Sequence, residues 1–138
     1  MRERLLRLLL LVAAFAWGVS VVGVFLPWPL AVTALQGLGA GAIPDDPMLR
    51  YWLRMAGGAF FGVGVFFLIL AIRPRAFASV IPIAGGLMFL EGLVLAVTGA
   101  MLHLRPLPFW ADTACCLFVG GGIVVLSFRK QANTECSR

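Results

Sequence analysis

Four long apolar runs divide this chain, each closed off by arginine, proline or aspartate. A helix that crosses the hydrocarbon core of a bilayer needs roughly 20 mostly apolar residues. Residues 5–26, 48–72, 77–102 and 109–128 meet that requirement and account for most of the sequence. The pattern predicts an all-α polytopic membrane protein, a four-transmembrane-helix bundle forming one membrane domain over residues 1–138. Residues 27–47 then form an interfacial connection on the outer side, and residues 129–138 a cytoplasmic tail.

The first run needs a closer look, because "MRERLLRLLLLVAAFAW" has the charged start, the leucine stretch and the Ala14-Phe15-Ala16 pattern of a cleavable signal. The apolar run continues through Trp17 to Leu26, however, so it reads as an uncleaved first span. Composition agrees with the bilayer as solvent. Hydrophobic residues make up 62% of the chain and charged residues 12%, with a mean hydropathy of +1.01. Soluble domains run near about 45–50% and 25% for the same classes.

A net charge of +5 would suggest nucleic acid for a soluble domain. Here the basic residues collect at the ends of the spans, where topology explains them, and nucleic-acid binding is set aside. Arg2, Arg4, Arg7, Arg73, Arg75, Arg129, Lys130 and Arg138 fall on one side, and Arg50, Arg54 and Arg105 on the other. The positive-inside rule puts the first group, and with it both termini of this multi-pass chain, in the cytoplasm.

The outer connections carry start signals for helices. Asp45 and Asp46 before Pro47 suit a helix start, an acid capping free amides while proline takes the first turn. Pro106 and Pro108 close the third span and launch the fourth. Trp28, Tyr51, Trp52 and Trp110 fall near these ends, as an interfacial aromatic belt does. Residues 30–43 are apolar, glycine-rich and too short to span, which suits a segment lying at the interface or folding back as a lid.

Helices in lipid pack through small residues, since acyl chains are as apolar as the side chains themselves. Gly58 and Gly62 in the second span, Gly85, Gly86, Gly92 and Gly99 in the third, and Gly120 to Gly122 in the fourth are the candidates for such contacts. The same glycines also suit a homo-oligomer or a larger membrane complex.

One carboxylate stands in the middle of a span. Glu91, in "LMFLEGLVLAVTG", would cost about 2.5–3.5 kcal/mol if ionised at a helix centre, so it is expected to face inward and find a partner. Steps of three and four along its helix put Ala84, Leu87, Met88, Leu95 and Thr98 on its face. Arg54 in the second span lies within reach in depth, with Gly57 and Gly58 leaving room below it. The expectation is a buried Arg54–Glu91 ion pair within a polar cluster that opens outward toward Tyr51, Thr98, His103, Arg105, Trp110 and Asp112. Such a pair serves either as a pin for helix register or as part of a functional pocket. Asp112 also has a plain structural role available, one turn into the fourth helix near the positive end of its dipole.

Other chemistries find less support. A single histidine and no repeated carboxylate spacing argue against zinc or di-iron sites, and Met88 and Met101 read as packing. Cys115 and Cys116 are adjacent rather than spaced as Cys-x-x-Cys, and Cys136 belongs to the tail. No cofactor is indicated by any motif.

The length, the four spans, the stretch "YWLRMAGGAFFGVGVFF" opening the second span and the "RPR" turn after it resemble small four-helix bacterial inner-membrane proteins of uncharacterised function, the DoxX-like size class. That resemblance implies a helical bundle and no particular activity. Small multidrug exporters also have four spans, but their essential acid lies in the first, where this chain has none.

Three functions follow from the residues. The leading one is a small integral membrane binding or accessory protein, holding a lipid-like or other amphiphilic ligand through Arg54, Glu91, Tyr51, Thr98, Trp110 and Arg105, or orienting a partner membrane subunit. The second is a membrane-embedded acid/base enzyme for a lipophilic substrate, with Glu91, Asp112 and His103 as its catalytic groups. The third is a proton-coupled carrier in which Glu91 alternates between charged and neutral forms.

Overall fold

Proline, aspartate and two tight helix ends mark out the helices of the computed structural model, which describes residues 2–104 and 106–135, the side chains of 107, 108 and 129–135 excepted. The elements are α1 (Arg2–Gly18), α2 (Val21–Phe25), α3 (Trp28–Gly37), α4 (Pro47–Ile72), α5 (Ile81–Met101) and α6 (Pro106–Glu135). No strand occurs among the described residues. Four stretches are long and apolar enough to cross a membrane: Arg2–Phe25, Pro47–Ile72, Ile81–Met101 and Phe109–Phe128.

The start of α4 forms as its sequence directs. Asp46 sits in extended backbone and accepts a hydrogen bond from the Met48 amide at 2.8 Å, while Pro47 takes the first helical position. Arg50, one turn on, pairs with Asp45 and lies over the Trp28 ring at 5.1 Å, tying α3 to the head of α4. The α5 end turns on His103, whose φ of 51° lets the Leu104 amide reach back to the Gly99 carbonyl. Gly39, at a φ of 107°, closes α3 in the same manner.

Two details depart from the sequence pattern. The first span is broken: α1 stops at Gly18, and Ser20 turns its hydroxyl onto the Trp17 carbonyl at 2.6 Å and the Gly57 carbonyl at 3.0 Å before α2 resumes. The connection over 27–47 contains a helix, α3, but none of its residues is buried, so it does not clamp over the bundle as a lid. The fourth span ends at Phe128, where the pattern placed its end, and α6 continues helically beyond it through Glu135.

Helix order follows from close contacts between backbones. α1 packs on α4, α6 on α1 and α5 on α6, while α2 leans on α4. At the α1–α4 crossing, a Cβ added to Gly64 would fall 2.5 Å from the Gly18 nitrogen. At the α5–α6 crossing, a Cβ on Gly120 would come 2.7 Å from the Phe89 nitrogen, and one on Gly85 2.7 Å from Ile123. Gly58, Gly62 and Gly86, expected at such crossings, have open space around them; Gly57 and Gly64 take the place of the first two. The reason is angular: Gly57 and Gly64 are seven residues apart, nearly two whole turns, and share one face, Gly64 against α1 and Gly57 against Ser20 and Val24 just past the break.

The ends of the helices fall at two levels. Glu3 holds Arg7 at 3.5 Å and Arg75 at 3.2 Å, and Arg2 donates to the Leu126 carbonyl, so the start of α1, the α4–α5 turn and the later part of α6 lie together. The buried core belongs to this same half. It consists of Leu6, Leu10 and Ala13; Phe67, Leu70 and Ala71; Ile81, Ala84 and Met88; and Cys116, Val119 and Ile123. Outside it the helices present apolar side chains to their surroundings, with Phe15 76% and Phe118 79% exposed, which suits lipid as the solvent.

Candidate functional site

Consecutive helices α4 and α5 are not packed neighbours, so the bundle has a slot between them. The slot runs along α5 from Ala84 past Met88 to Leu95, with Glu91 one turn beyond the methionine. Two adjoining recesses result, and Trp17, Phe60 and Glu91 line both.

The first recess, of about 200 Å³, is walled by Ala16, Trp17 and Ser20 at the α1 break, Phe60 of α4, Glu91 and Leu95 of α5, and Asp112, Cys115 and Cys116 of α6. The second, of about 330 Å³, continues toward the core between Val63, Phe66 and Phe67 of α4 and Ala84, Leu87 and Met88 of α5. Phe60 meets Trp17 edge to face, ring centroids 5.1 Å apart, which sets the common wall. One lobe therefore carries two carboxylates, a hydroxyl and two thiols. The other, Glu91 aside, is apolar.

Arg54 belongs to neither lobe, and the expected Arg54–Glu91 ion pair does not form. Among the described residues the ion pairs are Arg7–Glu3, Arg75–Glu3 and Arg50–Asp45. Arg54 is exposed and lines a shallow depression with Pro47, Arg50, Tyr51 and Met55. Helix geometry explains the error. Six residues separate Arg54 from Phe60, a rotation of about 240° net of whole turns, so when Phe60 faces the slot, Arg54 lies on the other flank of the α1 contact.

The remaining candidates separate in the same way. Glu91 is half-buried, and Asp112, more open, lines the first recess with it. Asp112 is the seventh residue of α6, which begins at Pro106; the dipole of a helix end fades within its first turn, so the dipole role does not account for it. Tyr51 packs on Trp52 at 6.1 Å and Trp110 on Phe109 at 5.1 Å, both outside the recesses. Thr98 and His103 are exposed and line neither lobe. Arg105 and Cys136 lie outside the described residues.

Sequence reasoning missed Trp17, Ser20, Phe60, Cys115 and Cys116 as members of the site. Trp17 carried a signal, since it lies well inside the first apolar run rather than at an end where a belt tryptophan belongs. Phe60 carried none in a stretch as rich in phenylalanine as its own. The face of α5 was legible: Ala84, Leu87 and Met88 on one side of Glu91, and Leu95 on the other, all line the recesses with it. No protein-family model, curated protein or solved structure matches this chain.

Proposed function

We propose that this protein is a small integral binding protein of a bacterial inner membrane, both termini cytoplasmic, that holds a lipid-like amphiphile in the slot beside Glu91. The observation that carries this reading is the position of Glu91 at the junction of two largely apolar recesses, of which only the one holding Asp112, Ser20 and the two thiols adds further polar groups. An amphiphile needs both environments in that adjacency. A carboxylate at mid-span that served only register would be enclosed by a partner, whereas Glu91 borders open space and has no side-chain partner among the described residues. His103 stands apart from Glu91 and Asp112 at the far turn of α5, which leaves an acid/base relay through it without support.

Native mass spectrometry after extraction in mild detergent tests this function. Wild-type protein should carry an amphiphile from the membrane, and Val63→Trp, which fills the apolar lobe, should lose it while keeping its helical content. A wild-type spectrum free of any bound species, with no uptake of added single-chain amphiphiles, overturns the proposal. For orientation, a membrane-impermeant maleimide should label Cys136 only after the cells are opened.

A further inference from the structure

The two lobes are ordered along the membrane normal, and the order identifies the ligand. α4 descends from Pro47 to Ile72 and α5 climbs back from Ile81 to Met101. Phe66, Phe67, Ala84 and Met88 therefore lie toward the half that holds Glu3, Arg75 and Leu126, and Ser20, Leu95 and Asp112 toward the opposite end. The more polar lobe above and the more apolar one below is the arrangement of a lipid inserted from the side opposite Glu3 and Arg75. Glu91 is the eleventh of the 21 residues of α5, so it sits at the middle of the span.

Charge decides the head group. Glu91 and Asp112 are the ionisable carboxylates of the polar lobe, and no arginine, lysine or histidine among the described residues lines either lobe. The shared wall of Trp17 and Phe60 offers aromatic surface, to which cations are attracted, most strongly where water is excluded. An anionic head would meet two like charges there. A cation offsets the cost of an ionised acid at mid-membrane.

The route of entry is also built in. The lobe walls reach the outer surface of the bundle between α4 and α5, where Val63, Phe66 and Leu87 are exposed, Leu87 at 63%. Those side chains would border lipid, so an acyl chain enters sideways without crossing polar protein.

We infer that the slot takes a single-chain amphiphile with a cationic, ammonium-type head, admitted from the bilayer between α4 and α5, its head between Asp112 and Glu91 and its chain along Val63, Phe66 and Leu87. This rests on the amphiphile-binding function proposed above and adds the sign of the head group and the path of the chain.

Full-length protein in nanodiscs is titrated with three radiolabelled probes of equal alkyl length bearing trimethylammonium, hydroxyl or sulfate heads, against empty nanodiscs. The trimethylammonium probe should bind saturably and at least about tenfold more tightly than the hydroxyl probe, a tenfold ratio being 1.4 kcal/mol. Glu91→Gln should erase that preference and Asp112→Asn should reduce it; circular dichroism and gel filtration confirm folding of each. Equal binding of the three heads, or a preference for sulfate, that Val63→Trp or Leu87→Trp still blocks overturns the cation while leaving amphiphile binding intact. Absence of saturable binding, or binding that neither tryptophan variant changes, overturns both.

Discussion

Gly64 lies flat against Gly18, so close that a Cβ on residue 64 would stand 2.5 Å from the Gly18 nitrogen and 2.9 Å from the Ala14 carbonyl oxygen. Both neighbours are backbone and cannot rotate away. This contact holds α4 on α1 just beside the point where α1 breaks, and it thereby sets the position of Trp17 and of the wall it forms with Phe60.

Gly64→Ala should accordingly destabilise the protein by about 1–3 kcal/mol, the usual cost of overpacking a close contact. Gly58→Ala, with nothing within 4 Å of its added methyl, should stay within about 0.5 kcal/mol of wild type. Unfolding of the two variants in mixed micelles with increasing denaturing detergent measures the difference. Equal losses at both positions would contradict the helix order described.

Ser20 joins the break in the first span to α4. Its single hydroxyl hydrogen is shared between the Trp17 and Gly57 carbonyls, at 2.6 and 3.0 Å. Ser20→Ala should cost about 0.6 kcal/mol, the average for a hydrogen bond inside a membrane protein. Amide exchange around residues 19–21 should rise in the variant more than in the middle of α5.

Arg54 and Glu91 offer a sharper measurement, because they are separate in the structure. The stability losses of Arg54→Ala and Glu91→Ala should add in the double variant to within about 0.3–0.5 kcal/mol, as they do for residues without contact. A coupling well above that range would mean that the pair forms after all.

The α4 cap gives a prediction from local chemistry alone. Asp46→Ala removes the acceptor of the Met48 amide and should cost about 1 kcal/mol, whereas Asp46→Asn keeps an acceptor and should recover most of it. Thermal unfolding followed by circular dichroism distinguishes the two.

Apolar run length marked, from sequence alone, four segments long and apolar enough to cross a membrane, and the start of α4 followed from Asp46 and Pro47. Spacing along α5 also assigned the face of Glu91, since Ala84, Met88 and Leu95 lie seven, three and four residues from it and a helix brings those positions to one side. What sequence did not decide was which helices are neighbours. In lipid every face of a span is apolar, so hydropathy does not mark the face that packs, and a glycine at a crossing looks the same as one facing acyl chains. Only the folded backbone distinguishes Gly57 and Gly64 from Gly58 and Gly62, turns Arg54 away from the slot, and brings Trp17, Phe60 and Asp112 around Glu91. The acid was legible in the sequence; the space beside it depends on α4 and α5 being held apart by their separate contacts with α1 and α6.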